Sequence, residues 1–88
     1  MKEIKIDSIL SIINENIEDA EITVEQSDEN LFELGMDSIM FIRIVVALEE
    51  NFEIEIPDEY LLITEMGTVN KIINIISDEL NKVNEWNE

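Results

Sequence analysis

The residues best placed to do chemistry are the neighbouring pair Asp37-Ser38, which follow a flexible glycine at Gly35. A serine hydroxyl can carry a covalent group, and the start of a helix would receive such a group well. Unpaired backbone N–H groups and the positive end of a helix favour an anion there. A phosphodiester on Ser38 would sit in that field, at a bundle end that an enzyme can reach. The ordinary alternative is that Asp37 and Ser38 stand there only because both types are good N-caps. The chain has no cysteine and no histidine. Disulfides, thiolate metal sites and a thiol nucleophile are therefore excluded, and with them go the commonest general base and zinc ligand. A self-sufficient hydrolase of the usual kinds is ruled out, and no metal site and no catalytic residue are expected.

The elements that must position this pair can be read from periodicity. Ile6, Ile9, Leu10, Ile13 and Ile17 recur at spacings of three and four, which predicts an amphipathic helix from about Ile4 to Ile17. Asp7, Ser11, Asn14 and Glu18 fall on other faces. A long connection follows from about Glu18 to Asp37, with the turn and cap formers Thr23, Gln26, Ser27, Asp28 and Asn30. Val24, Leu31, Phe32 and Leu34 are expected to pin it to the core. Asp37 or Ser38 then caps a second helix, from about Ser38 to Asn51, whose core face is Phe41, Ile44, Val45, Leu48 and Phe52. Pro57 ends that region and starts a short helical turn near Asp58 to Leu62. Thr68 is the N-cap candidate of a last helix with the stripe Val69, Ile72, Ile73, Ile76, Leu80 and Val83. Asn84 to Glu88 reads as a polar, fraying tail. The fold class expected is an all-α, four-helix bundle: three main helices, one short helix and a long first loop. It forms a single domain, 1–88, with its core over about residues 4–83.

Charge narrows the partners. Five Lys and Arg against 22 Asp and Glu give a net charge of −17. Nucleic acid and anionic membrane are repelled. A basic patch on another protein is the natural complement, and such attraction speeds encounter more than it adds affinity. The acids are uneven: eight and no base from Glu15 to Glu33, then six and no base from Glu49 to Glu59. The longest apolar runs, such as Ile44 to Leu48, are five residues, far too short to span a bilayer. The polar start, Met1-Lys2-Glu3-Ile4-Lys5, leads into no apolar signal region. A cytoplasmic monomer without membrane insertion is expected.

The segment Gly35-Met36-Asp37-Ser38-Ile39 resembles the phosphopantetheine attachment signature of acyl and peptidyl carrier proteins. Val46-Ala47-Leu48-Glu49-Glu50-Asn51-Phe52, then Ile54, Ile56-Pro57-Asp58 and Thr68-Val69, resemble the same family at the same relative places. The likeness covers nearly the whole chain, including helix count, length and acidity. It implies that a phosphopantetheinyl transferase joins a 4'-phosphopantetheine arm from coenzyme A to Ser38, with Gly35 and Asp37 flanking. It further implies that Asp37 assists the transferase complex through its metal ion. The arm would hold an acyl, aminoacyl or peptidyl cargo as a thioester, and a chain without cysteine would so borrow its thiol. A loading ligase, adenylating or acyl-transferring enzyme and downstream acceptor enzymes are then the further partners.

The second helix is apolar on more than its core face. Ile39, Ile42 and Val46 form another stripe, with Met40 and Arg43 beside it and Glu49 and Glu50 as an acidic rim. Deep burial of the helix would explain this, and so would a docking surface flanking Ser38. Fatty-acid carriers resemble one another in having acids two and five positions after the serine, where this chain has Met40 and Arg43. Arg43 is more like peptidyl carriers of nonribosomal synthesis. The stretch from Pro57 to Thr68 and Asn70-Lys71-Ile72 look like D-alanyl carriers of cell-wall teichoic acid modification. The resemblance thus points to nonribosomal peptide, polyketide-type or other specialised biosynthesis, with D-alanyl or general fatty acyl carriage as alternatives. A different class remains open: an acidic helical adaptor with no prosthetic group. A calcium sensor does not fit, because Asp28-Glu29-Asn30 lacks the following glycine of a calcium loop and Gly35 is followed by only one acid before the helix.

Overall fold

The computed structural model describes residues 5–17 and 21–86. Helix α1 spans Ile6–Asn16, α2 spans Ser38–Phe52, α3 spans Ile63–Met66 and α4 spans Val69–Trp86. No strand occurs among the described residues, so the architecture is all-α, with three main helices. Helix α1 packs against both α2 and α4, and α3 packs against α4. No helix among the described residues is long and apolar enough to cross a membrane.

The core follows the periodic faces. Ile9, Leu10 and Ile13 of α1 are buried against Phe41, Ile44, Val45 and Leu48 of α2 and Val69, Ile72 and Ile76 of α4. Ile12 and Ile75 widen the buried faces beyond the expected stripes, and Ile6, Ile73, Leu80 and Phe52 are only half-buried. The expectations for Ile4 and Glu18, and for the side chain of Val83, lie outside the described residues.

The long connection from α1 to α2 is fastened at three places. The Asn14 carboxamide accepts from the Ile22 N–H at 2.7 Å and donates to the Ile22 carbonyl at 3.0 Å. A short 3₁₀ turn, Val24–Gln26, follows, begun by Thr23 with a capping box to Gln26. The loop is then tied to the start of α4. The Leu31 N–H donates to the Gly67 carbonyl at 2.8 Å, and the Asn70 N–H donates to the Ser27 carbonyl at 3.1 Å. The Asn70 side chain also donates to Asp28 at 2.6 Å. Leu31 is fully buried, and Phe32 and Leu34 pack partly against the core, as expected. Val24 is not: it is 52% exposed, and Ile22 and Met36 do the anchoring instead. Val24 lies within the 3₁₀ turn, which presents it to solvent.

Two further expectations are corrected. The short helix near Asp58 to Leu62 is a single 3₁₀ turn, Asp58–Tyr60, and a separate turn of α-helix follows at Ile63–Met66. Pro57 fits the role given it, standing just before the 3₁₀ turn. The last helix also runs on through Asn84 and Glu85 to Trp86, where a polar tail was expected. That stretch contains no glycine or proline to stop a helix. Thr68 is the cap expected of it, its hydroxyl accepting from the Lys71 N–H at 3.1 Å.

Candidate functional site

Gly35, Met36, Asp37 and Ser38 form the join between the long loop and α2. Gly35 has φ 119°, a conformation that a residue with a Cβ enters only under strain. Met36 is buried, and its N–H donates to the Leu31 carbonyl at 3.1 Å. The loop is therefore held from below while Asp37 and Ser38 remain exposed above it. Asp37 is extended, with φ −118° and ψ 179°, and its carboxylate accepts the Met40 N–H at 2.8 Å. Of the two cap candidates, the structure uses Asp37. Ser38 is left as the first helical residue, its hydroxyl free of the capping task. The N–H groups of Ser38 and Ile39 have no acceptor within the helix, as at any helix start.

Beside Ser38 runs a groove of about 470 Å³, lined by Ser38, Phe41, Ile42, Val45, Val46, Glu49 and Leu61. Its wall is α2 on one side and the segment before α3 on the other. The lining is mostly aliphatic and aromatic. Phe41 and Val45 were read from the sequence as core, and they serve both the core and the groove. Leu61 could not have been assigned to the site from spacing, since it reaches α2 from a different segment. A second cleft, between α1 and the far end of α2, lies near Asp7, Ser11, Glu15 and Phe52, away from Ser38.

The second apolar stripe of α2 faces solvent. Ile39 is 63% exposed, Ile42 62% and Val46 46%; Leu62, in the segment before α3, is 56% exposed. Deep burial of the helix is thus not the reason for these residues. Met40 is half-buried and Arg43 is exposed. The two rim acids differ. Glu50 is exposed, while Glu49 is half-buried and its carboxylate accepts the Ile56 N–H at 2.8 Å. The described residues hold no cluster of His, Cys, Asp or Glu suited to a metal ion.

Residues 7–76 match the family model for the phosphopantetheine attachment site. An acyl carrier protein of Helicobacter acinonychis (strain Sheeba) is 40% identical over 70 residues, covering 76% of this chain and 87% of that protein. A chain in the solved structure of the ishigamide ketosynthase/chain length factor is 29% identical, with a TM-score of 0.69 over 86% of this chain and 93% of that one. The acetyl actinorhodin acyl carrier protein from Streptomyces coelicolor shares the fold, with a TM-score of 0.72 over 91% of this chain and 94% of that one, at 18% identity.

Proposed function

The chain belongs to the phosphopantetheine-binding acyl carrier family, and from that premise we propose that Ser38 is the residue that bears its arm. As a member it is a carrier with covalently attached 4'-phosphopantetheine; it is not an enzyme, and it works with partner enzymes. The arm, when attached, supplies a terminal thiol on which cargo is held as a thioester.

The observation that carries the assignment is the exposure of Ser38 at the first position of α2, at the mouth of the apolar groove. The residues present fit the group. Asp37 takes the cap, so the Ser38 hydroxyl is free to be esterified. The Ser38 and Ile39 N–H groups offset the charge of a phosphodiester there. Phe41, Ile42, Val45, Val46 and Leu61 offer an apolar bed to a chain leaving Ser38. Glycine at position 35 lets the loop turn sharply while Met36 anchors it, which fixes where the hydroxyl points.

The exposed stripe Ile39, Ile42 and Val46, with Met40, Arg43 and Glu50 around it, is the docking face for partner enzymes in this reading. A phosphopantetheinyl transferase, a loading enzyme and an acceptor enzyme all must approach Ser38 across it. The setting is specialised biosynthesis in the cytoplasm, of polyketide or nonribosomal type. Met40 and Arg43 at places where fatty-acid carriers resemble one another in having acids support that reading. So does the likeness to a chain in the ishigamide ketosynthase/chain length factor structure. Residues 1–88 act as one carrier domain.

An intact-mass measurement tests the assignment. The purified chain is incubated with coenzyme A, magnesium and a broad-specificity phosphopantetheinyl transferase, beside Ser38→Ala. A gain of one phosphopantetheine unit by the parent alone is the expected result. No gain by a folded, helical parent, or an equal gain by Ser38→Ala, overturns it.

A further inference from the structure

Arg43 is the only base between Lys5 and Lys71 in a chain with 22 acids. On a helix a charged side chain finds ion-pair partners three and four residues away. For Arg43 those neighbours are Ile39, Met40, Val46 and Ala47, and none is charged. Lys82 shows the contrast, pairing with Glu79 at 2.9 Å three residues before it. Among the described residues Arg43 has no such partner, and its side chain stands exposed within the apolar stripe. In a chain so acidic, a guanidinium without an ion pair among the described residues, standing at the edge of an apolar stripe, is available to a partner's carboxylate.

The position matters because it lies inside any footprint centred on Ser38. Arg43 is five residues along α2, about 7.5 Å by helical rise. At about 100° per residue, Ser38, Ile42, Val46, Ile39 and Arg43 follow one another around an arc of about 140°. An enzyme that reaches the Ser38 hydroxyl and covers Ile39 and Ile42 therefore also covers the base of Arg43. Covering a guanidinium without giving it a partner leaves an uncompensated charge out of water, which is strongly unfavourable. Surface charges of this kind set which partner fits more than how tightly it binds.

We propose that the transferase that modifies Ser38 meets Arg43 with a carboxylate, set within an otherwise apolar contact to Ile39, Ile42 and Val46. This rests on Ser38 being the modified residue. A partner whose face is basic throughout is disfavoured at this point, although it suits the acidic zones on either side. Arg43 is thus a specificity residue, and the exposed acids from Glu50 to Glu59 serve long-range attraction.

Two measurements with one transferase that loads the parent chain test this. The first is kcat/KM for loading of R43E, R43Q and R43K at two salt concentrations, with helicity checked by circular dichroism. R43E is expected to lose tenfold or more, R43Q less, and R43K to stay within about threefold. The second treats apo R43K and the transferase with a carbodiimide, which condenses an amine with a nearby carboxylate. Mass spectrometry is expected to find position 43 joined to an Asp or Glu of the transferase. R43E loaded as fast as the parent overturns the proposal, and so does the absence of any link from position 43 while R43K is still loaded. In both overturning cases the mass gain at Ser38 persists, so the attachment site stands apart from the fate of Arg43.

Discussion

The Asp37 carboxylate accepts the Met40 backbone N–H at 2.8 Å, which makes Asp37 and not Ser38 the cap of α2. The two neighbouring residues therefore divide the work of the site, one holding the helix start and the other presenting a free hydroxyl. Asp37→Ala should cost about 1 kcal/mol of stability, and Asp37→Asn much less, since asparagine caps nearly as well. Ser38→Ala should leave stability nearly unchanged, because the Ser38 side chain is exposed and caps nothing. Urea unfolding of the three variants checks the ranking. A loss for Ser38→Ala equal to that for Asp37→Ala would place the cap on the serine instead.

Gly35 sets the second expectation. Its φ of 119° is open to glycine and strained for any residue with a Cβ. Gly35→Ala should destabilise by about 1–3 kcal/mol. In a domain of this size that lowers the melting temperature by about 4–8 °C for each kcal/mol. The loading rate at Ser38 should fall as well, because the strain would be relieved by moving the loop that ends at Asp37. Unaltered melting and loading would mean that the loop turns elsewhere.

The helices were legible where the chain repeats itself. Ile9, Ile13, Phe41, Ile44, Leu48, Ile72 and Ile76 lie on the periodic faces that the spacing picks out, and all are buried. Helix α3 has four residues, barely one turn, so no period can show in it. Val24 failed for a related reason. A lone apolar residue in an aperiodic stretch carries no information about its face, and the 3₁₀ turn sends it outward. The end of α4 was missed because its last residues are polar, and polarity alone does not stop a helix that lacks a glycine or proline. At the candidate site, residue type alone left Asp37 and Ser38 as ordinary caps; position at a helix start after Gly35 and the resemblance of the surrounding segment singled them out. The groove could not be read from the sequence, since Leu61 meets α2 only through the tertiary fold.

Asn14 carries a third expectation. Its carboxamide closes a ring of two hydrogen bonds with both backbone groups of Ile22, itself buried. No other described contact pairs α1 with the opening of the long loop in this way. Asn14→Ala should leave a part-buried N–H and carbonyl unsatisfied and cost about 1–3 kcal/mol. Asn14→Asp keeps the acceptor, loses the donor and sets a carboxylate against the Ile22 carbonyl, so it should rescue little. Hydrogen exchange at the Ile22 amide gives a local readout. Protection there that survives both substitutions would assign the loop's anchoring to Leu31 and Ser27 alone.

Under the proposed docking face, the adjacent residues Glu49 and Glu50 have separate roles, the first in structure and the second in encounter. The Glu49 backbone carbonyl accepts from the Glu53 and Ile54 N–H groups, and its carboxylate accepts from the Ile56 N–H at 2.8 Å. The chain thus leaves α2 by wrapping around Glu49, with Glu53 in a left-handed conformation at φ 55° to make the turn. Glu50 is exposed and makes no such bond. Glu49→Ala should cost about 1–2 kcal/mol, because a hydrogen bond to a charged acceptor is among the stronger ones and Ile56 is buried. Glu49→Gln, which retains an acceptor oxygen, should lose less. Glu50→Lys should be close to neutral for stability and instead slow encounter with a basic partner at low salt, an effect that fades as salt screens it. Thermal melting together with loading rates at two ionic strengths distinguishes the residues. A salt-dependent loading defect confined to Glu49→Gln, with Glu50→Lys behaving as the parent, would reverse the two assignments.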